Sequence, residues 1–455
     1  MNFNMHHPTA IEIVDSLNRY IIGQDNAKKA IAIAMRNRWR RQQISSKIKD
    51  EVMPKNIILI GPTGSGKTEI VKRIAHLSKS PFIKIEATKF TEVGYVGRDV
   101  DSMIRDLVAI SVKICTDKAL KDMEQQTKKI AEEELLNILL PIKPIIKESN
   151  NITNNDIKDS SREKLRKMLI EGFLDDKEVV IEVQSKTSMP IFPMSNNTGM
   201  DDLTNELQNI MQNTMNFFQK KKKQKILVKD AINVIAENEA QKLINKEQIN
   251  KEAIRIAEQS GIIFIDEIDK IVGKKFNNSP EISREGVQRD ILPILEGSTV
   301  QTKYGLVKTD HILFIAAGAF STTDPSDLIP ELQGRFPVQV KLLELNENDF
   351  VKILTEPENS LVKQYQALLN VDNLNLIFKE SGISALAKAA AYINIEFENI
   401  GARRLYTVME TLLEEENFKA PYTLLEKKTI IIDKEFVNNR LLHIINNNNM
   451  TKYIL

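Results

Sequence analysis

The chain has 455 residues, 42% hydrophobic and 27% charged, enough for about three domains of roughly 150 residues and a sizeable buried core. Lys+Arg (63) and Asp+Glu (62) leave a net charge of +1, which argues against a protein built around a basic nucleic-acid face. The single cysteine, Cys115, excludes an internal disulfide and a multi-cysteine metal site, and no apolar run approaches the roughly 20 residues that span a bilayer.

The N-terminus, MNFNMHHPTAIEIVDSL, lacks a basic region followed by an apolar stretch, so no secretory signal is expected and the reducing cytoplasm is the expected location. From Pro8 to about Arg41 the pattern is helical. Thr9 and Glu12 have capping-box spacing, and Tyr20–Gln24 interrupts the helix at Gly23. Residues 56–60 (NIILI) read as a strand buried in a parallel sheet. A helix is expected over 68–78 and a second strand over 82–86 (FIKIE). This is the opening of a doubly wound α/β domain. Residues 113–245 break the rhythm with long charged helical stretches, an Asn/Ser/Lys-rich linker and a Met-, Asn- and Gln-rich stretch ending in Lys220–Lys223. They read as an inserted, mostly helical domain. The α/β pattern resumes at residues 261–266 and 311–317. From about Leu342 the chain is expected to be helical, with one strand at Thr429–Ile432. The expected division is 1–112 and 246–341 for the two parts of the core, 113–245 for the insertion and 342–455 for a C-terminal helical domain.

Gly61–Thr68 (GPTGSGKT) carries the clearest chemistry. It fits G-x-x-x-x-G-K-[ST] between a strand and a helix. The glycines let successive N–H groups, including those of Gly64, Ser65 and Gly66, turn toward phosphate oxygens, and the helix adds its positive end. Lys67 can neutralise the β/γ-phosphates and Thr68 can ligate Mg²⁺. A second carboxylate is needed, and the apolar strand ending in Asp266-Glu267 supplies it. Asp266 is expected to hold Mg²⁺, and Glu267 to orient the attacking water. The two motifs lie much further apart than the roughly 30 residues of a βαβ unit, which places an insertion inside a nucleotide-binding core. Either Arg335 (ELQGRF) or Arg403 (GARRL) offers a guanidinium for γ-phosphate charge. Gly94-Tyr95-Val96-Gly97 suits a loop that presents an aromatic to a partner, or a turn with Tyr95 packed inside. The apolar end, Tyr453-Ile454-Leu455, suits docking into a groove on a partner, or folding back on its own domain.

The phosphate loop, GIIFIDEIDK, GYVG, ELQGRF and GARRL occur in that order, together with YIIGQDNAK at Tyr20–Lys28 and RNRWRR at Arg36–Arg41. In these motifs the chain resembles the HslU (ClpY) family of AAA+ unfoldases over nearly its whole length. The resemblance implies an AAA+ phosphate-loop core and a homo-hexameric ATPase ring. It implies that the ring unfolds protein substrates and threads them into an HslV-like peptidase, with no membrane or nucleic-acid partner. It implies that Tyr95 and Val96 grip substrate in the pore, that Arg335 reaches a neighbouring subunit's ATP, and that Arg403 contacts phosphate in its own subunit. It places Ile22 near the adenine and Glu69 and Glu331 among the nucleotide-site residues. The strand end Ala316-Ala317-Gly318 lacks the polar residue that many AAA+ proteins place there. A ClpX-like unfoldase is disfavoured because its zinc module needs several cysteines. A nucleic-acid-translocating AAA+ motor is disfavoured by the near-neutral charge and the GYVG loop.

Overall fold

The computed structural model describes residues 8–45, 48–91, 98–140, 162–169, 171–183, 222–272, 284–420 and 428–446. The chain divides into two compact units, Met1–Ile114 with Asn250–Leu455, and Cys115–Ile249.

At the centre of the first unit is a five-stranded sheet. Its strands are β1 (Ile57–Ile60), β2 (Phe82–Glu86), β5 (Ile262–Asp266), β8 (Leu313–Gly318) and β9 (Val338–Lys341). They lie in the order β2-β5-β8-β1-β9, and every pairing is parallel. β1, β8 and the first four residues of β5 are buried, as strands covered on both faces must be. Successive side chains point to opposite faces, so β1, β5 and β8 each serve two cores. Ile58, Ile263, Ile265 and Phe314 join one with Met103, Ile291 and Phe336. Ile57, Leu59, Phe264 and Ile315 join the other with Leu17, Ile31, Ile70 and Ile74. The expected parallel α/β sheet is therefore present.

The N-terminal helix Ala10–Asn18 starts at the capping box expected from Thr9 and Glu12: the Glu12 amide donates to Thr9 Oγ1 at 3.3 Å, and the Thr9 amide to Glu12 Oε2 at 2.6 Å. The break before the second helix, Asp25–Gln43, is a left-handed pair, Gly23 (φ 63°) and Gln24 (φ 59°). Gln24 uses both ends of its amide on Leu343, donating to its carbonyl at 2.8 Å and accepting from its N–H at 3.0 Å. The basic motif of that helix has a structural use. Arg38 is buried and donates to the carbonyls of Gln259, Ser260 and His311 at 3.0–3.2 Å. It thus covers the free carbonyls at the end of the helix Lys246–Ser260. Burial and the neighbouring Arg41 pull its pKa down to about 9.

Beyond β9 the chain builds a second, mostly helical core around Phe350, Leu376, Leu386, Leu405, Leu412 and Leu441. The helices are Glu347–Thr355, Leu361–Asn370, Glu380–Glu396, Arg403–Lys419 and Lys434–Asn446. The strand expected at 429–432 is β11 (Lys428–Ile432), and it pairs in parallel with β10 (Leu374–Phe378), which the sequence pattern does not separate from its helical neighbours. A hairpin of β6 (Thr299–Thr302) and β7 (Gly305–Lys308) also goes unanticipated.

The second unit contains an antiparallel pair, β3 (Glu178–Val183) and β4 (Lys222–Leu227), and the helix Val228–Leu243. Its small core gathers Leu135, Leu169, Val179, Ile181 and Ala231. Lys222 and Lys223 belong to β4, where Lys225 to Leu227 extend the run into a strand that pairs with β3. Among the described residues no helix is long and apolar enough to cross a membrane.

Candidate active site

β1 ends at the phosphate loop, and two glycines there meet what no side chain could. A Cβ on Gly61 would lie 2.9 Å from both the carbonyl oxygen and Cβ of Leu342, and one on Gly64 (φ 73°) would lie 2.0 Å from the Ile400 carbonyl. The close approach at Gly64 is reciprocal. Gly401 (φ 56°) would bring a Cβ to 2.7 Å from the Thr63 carbonyl, and the Ala402 N–H donates to Gly64 O at 3.1 Å. Asn394 holds this turn, donating to Gly401 O at 3.1 Å and accepting from the Ile400 amide at 3.3 Å. The GARRL segment is thereby docked backbone to backbone on the phosphate loop.

Lys67 opens the helix Lys67–Leu77 and folds its ammonium back over the loop, donating to Gly61 O at 2.6 Å and Pro62 O at 2.8 Å. Burial depresses its pKa, Arg403 adds to the depression, and Asp266 and Asp269 oppose it. Thr68 Oγ1 stands 3.3 Å from Asp266 Oδ2. Asp266 is mostly buried, and Lys84 of β2 meets the same oxygen at 2.8 Å. Glu267 follows at φ 57°, a left-handed conformation uncommon outside glycine. Its amide donates to Asp266 Oδ1 at 3.1 Å, and its side chain is exposed. Asp269 is buried, and its Oδ1 accepts from the Ala319 amide at 3.3 Å. The apolar end of β8 therefore receives its polar group from the turn after β5.

Gly64, Lys67, Thr68, Asp266, Glu267 and Asp269 line one cleft of about 680 Å³. It brings together Ile22, Gly64, Ser65, Gly66, Lys67, Thr68, Glu69, Asp266, Glu267 and Arg403. Arg335 and Glu331 do not line it. Both are exposed on the short helix Pro330–Arg335, where Arg335 pairs with Glu296 at 2.6 Å. Gly94, Tyr95, Val96 and Gly97 lie outside the described residues, as do Tyr453, Ile454 and Leu455.

Several residues of the site carry no signal that the sequence reading used. Lys84 is the exposed middle residue of a strand expected only as a strand, and Asp269 follows closely on the carboxylate pair that draws the attention. Tyr20 stacks under the Arg73 guanidinium, 4.4 Å from ring centroid to Cζ, and donates to Glu358 Oε2 at 2.8 Å. That contact spans most of the chain and has no local pattern.

Two family descriptions match the chain. Residues 57–217 match the "ATPase family associated with various cellular activities (AAA)", and residues 185–339 match the "AAA domain (Cdc48 subfamily)". Over 448 residues the chain is 48% identical to the ATP-dependent protease ATPase subunit HslU of Persephonella marina, with 98% of each chain covered.

Proposed function

The chain belongs to the HslU family of AAA ATPases, and from that premise we propose that it is the ATP-driven unfoldase of a two-component protease. It works as a hexameric ring in the cytoplasm, unfolds protein substrates and feeds them to an HslV-like peptidase. One observation carries the reading: the phosphate loop, Asp266, Glu267 and Arg403 converge on a single cleft, in a chain matched along 98% of its length by a protease ATPase subunit.

The geometry supports a division of labour. Lys67 rests on two carbonyls, ready to exchange them for β/γ-phosphate oxygens, and the amides of Gly64 to Gly66 receive the rest of the phosphate charge. Thr68 and Asp266 offer Mg²⁺ neighbouring oxygen donors, the chemistry a hard cation prefers; when bound, the ion offsets phosphate charge. Glu267 accepts a proton from the attacking water. Arg403 serves the subunit's own nucleotide. Arg335 and Glu331 sit off their own cleft, which supports service to a neighbour's nucleotide. Tyr95 and Val96 grip the substrate, and Tyr453–Leu455 dock on the peptidase.

The test is degradation of a stable folded protein carrying an unstructured tag, with the full chain, an HslV-type peptidase and ATP. Degradation is expected with ATP and not with a non-hydrolysable analogue. If ATP were hydrolysed while the folded substrate stayed intact and peptidase activity did not rise, the unfoldase reading would be lost.

A further inference from the structure

The short helix Pro330–Arg335 carries the arginine that misses its own cleft, and a helix of six residues does not hold its place by itself. Side chains from other segments hold it at both ends. At its start, the Ile329 amide donates to Gln288 Oε1 at 2.9 Å. At its end, the Arg335 carbonyl accepts from Asn56 Nδ2 at 3.2 Å, while Asn56 Oδ1 accepts from the Phe314 amide of β8 at 3.1 Å. Asn56 therefore fixes the far end of the helix to the central sheet. Both side chains are buried, Gln288 to 1% exposure. Between the two ties, Leu332 and Phe336 pack with Val287 and Ile291 in one core.

Gln288 anchors the start of the helix to a different place. Its Nε2 donates to the Ile271 carbonyl at 2.8 Å. Ile271 ends the single-turn helix Ile268–Ile271, which begins directly after Glu267. That turn is itself held to the end of β8, where Asp269 accepts from the Ala319 amide. One amide side chain thus joins the segment that follows Glu267 to the segment that presents Arg335. Glutamine suits the place because its head group offers a donor and an acceptor at once. Without it, two main-chain groups would lose their partner beside a buried side chain, at a cost in free energy. Gln288 belongs to the helix Arg284–Glu296, whose last residue pairs with the Arg335 guanidinium. That helix therefore meets both the backbone and the side chain of the arginine segment.

We propose that Gln288 is a positioning residue for hydrolysis: its amide sets the helix that presents Arg335, with the turn after Glu267 as its anchor. The inference rests on the reading of Arg335 as a finger for a neighbour's nucleotide, and adds the side chain that aims it. Gln288 does not line the cleft, so its effect on the reaction passes through Arg335.

The experiment uses assembled rings of the full chain. Gln288→Met keeps length and bulk and removes both hydrogen bonds. Its KM for ATP is expected to stay at the wild-type value while kcat falls about 10- to 100-fold, the scale of displacing a group at the reacting centre by up to about 1 Å. An unchanged kcat would overturn the proposal. Subunit mixing then identifies the group that has been lost. Glu267→Gln subunits bring intact fingers, and mixing them with Gln288→Met subunits should raise hydrolysis above the mean of the two parent rings. Arg335→Ala subunits bring intact bases without a finger, and mixing them with Gln288→Met subunits should give no such rise. The reverse pattern would make Gln288 a support for its own Glu267, and recovery with both partners or with neither would make it a packing residue; each result overturns the proposal. Gln288→Asn keeps an amide but is one methylene too short to span both segments, and it is read in the same way if the methionine variant does not fold. The mixture of Arg335→Ala with Glu267→Gln is the control. No recovery there, in rings shown to be mixed, would defeat the finger reading together with this one, whereas recovery there but not with Gln288→Met would defeat Gln288 alone.

Discussion

Lys67 and Glu267 show how differently two charged residues of one cleft are held. Lys67 is partly buried, its ammonium donating to two carbonyls of the loop and its pKa lowered by burial. Phosphate oxygens would replace those carbonyls with full negative charges, the stronger partners. Lys67→Ala is therefore expected to abolish measurable ATP binding in a titration; an unchanged affinity would remove the phosphate-loop assignment. Glu267 is exposed on a left-handed backbone whose amide is held by Asp266. Glu267→Gln keeps shape and hydrogen-bonding capacity but loses the basic oxygen. ATP binding should persist while single-turnover hydrolysis falls at least about 10²-fold, the scale of general-base removal. Hydrolysis at the wild-type rate would give the proton to another group.

At the scale of elements, the turn Ile400–Ala402 and the phosphate loop behave as one unit because both are glycine backbone where they touch. Gly64→Ala combines a left-handed φ with a Cβ 2.0 Å from a main-chain carbonyl that has no freedom to rotate away. It should lower the melting temperature and weaken ATP binding together. Gly66→Ala shares the positive φ but meets nothing within 4 Å. Its stability loss should stay near the strain of one left-handed alanine, about 1–2 kcal/mol. Equal melting temperatures for the two variants would mean that the turn is not fixed on the loop. Far from the cleft, Thr9→Ala removes one half of a complete capping box, and chemical denaturation should show a loss of about 1 kcal/mol with ATPase activity unchanged.

For the whole molecule, the informative residue is one that misses its own cleft. Arg335 is exposed and paired with Glu296, a surface ion pair of small worth by itself. Arg335→Ala should spare folding and cripple hydrolysis in the assembled ring. Mixing Arg335→Ala subunits with Glu267→Gln subunits should restore part of the activity, because some interfaces then join an intact finger to an intact base. No recovery in rings shown to be mixed would place both groups in one subunit. On the grip role proposed for Tyr95, ATP hydrolysis should continue in Tyr95→Ala while unfolding of a stable substrate fails, and Tyr95→Phe, which keeps the aromatic face, should be mild.

The sequence by itself determined four of the five strands of the central sheet, all but β9, together with the capping box at Thr9 and the residues of the phosphate loop and carboxylate pair. Each of these is written in neighbouring positions, as an alternation, a three-residue spacing or a run of glycines whose physical cause is local. Its residue pattern also marked Arg335 and Arg403 as two candidates, which only the family resemblance assigned to different roles. Only the tertiary structure put Arg403 in the cleft and left Arg335 outside it, since that depends on the turn Ile400–Ala402 meeting the phosphate loop. Lys84 on Asp266, Asp269 on the end of β8, and Gly401 on Gly64 were decided in the same way. Each joins segments from different strands and turns, and no local periodicity encodes such a meeting.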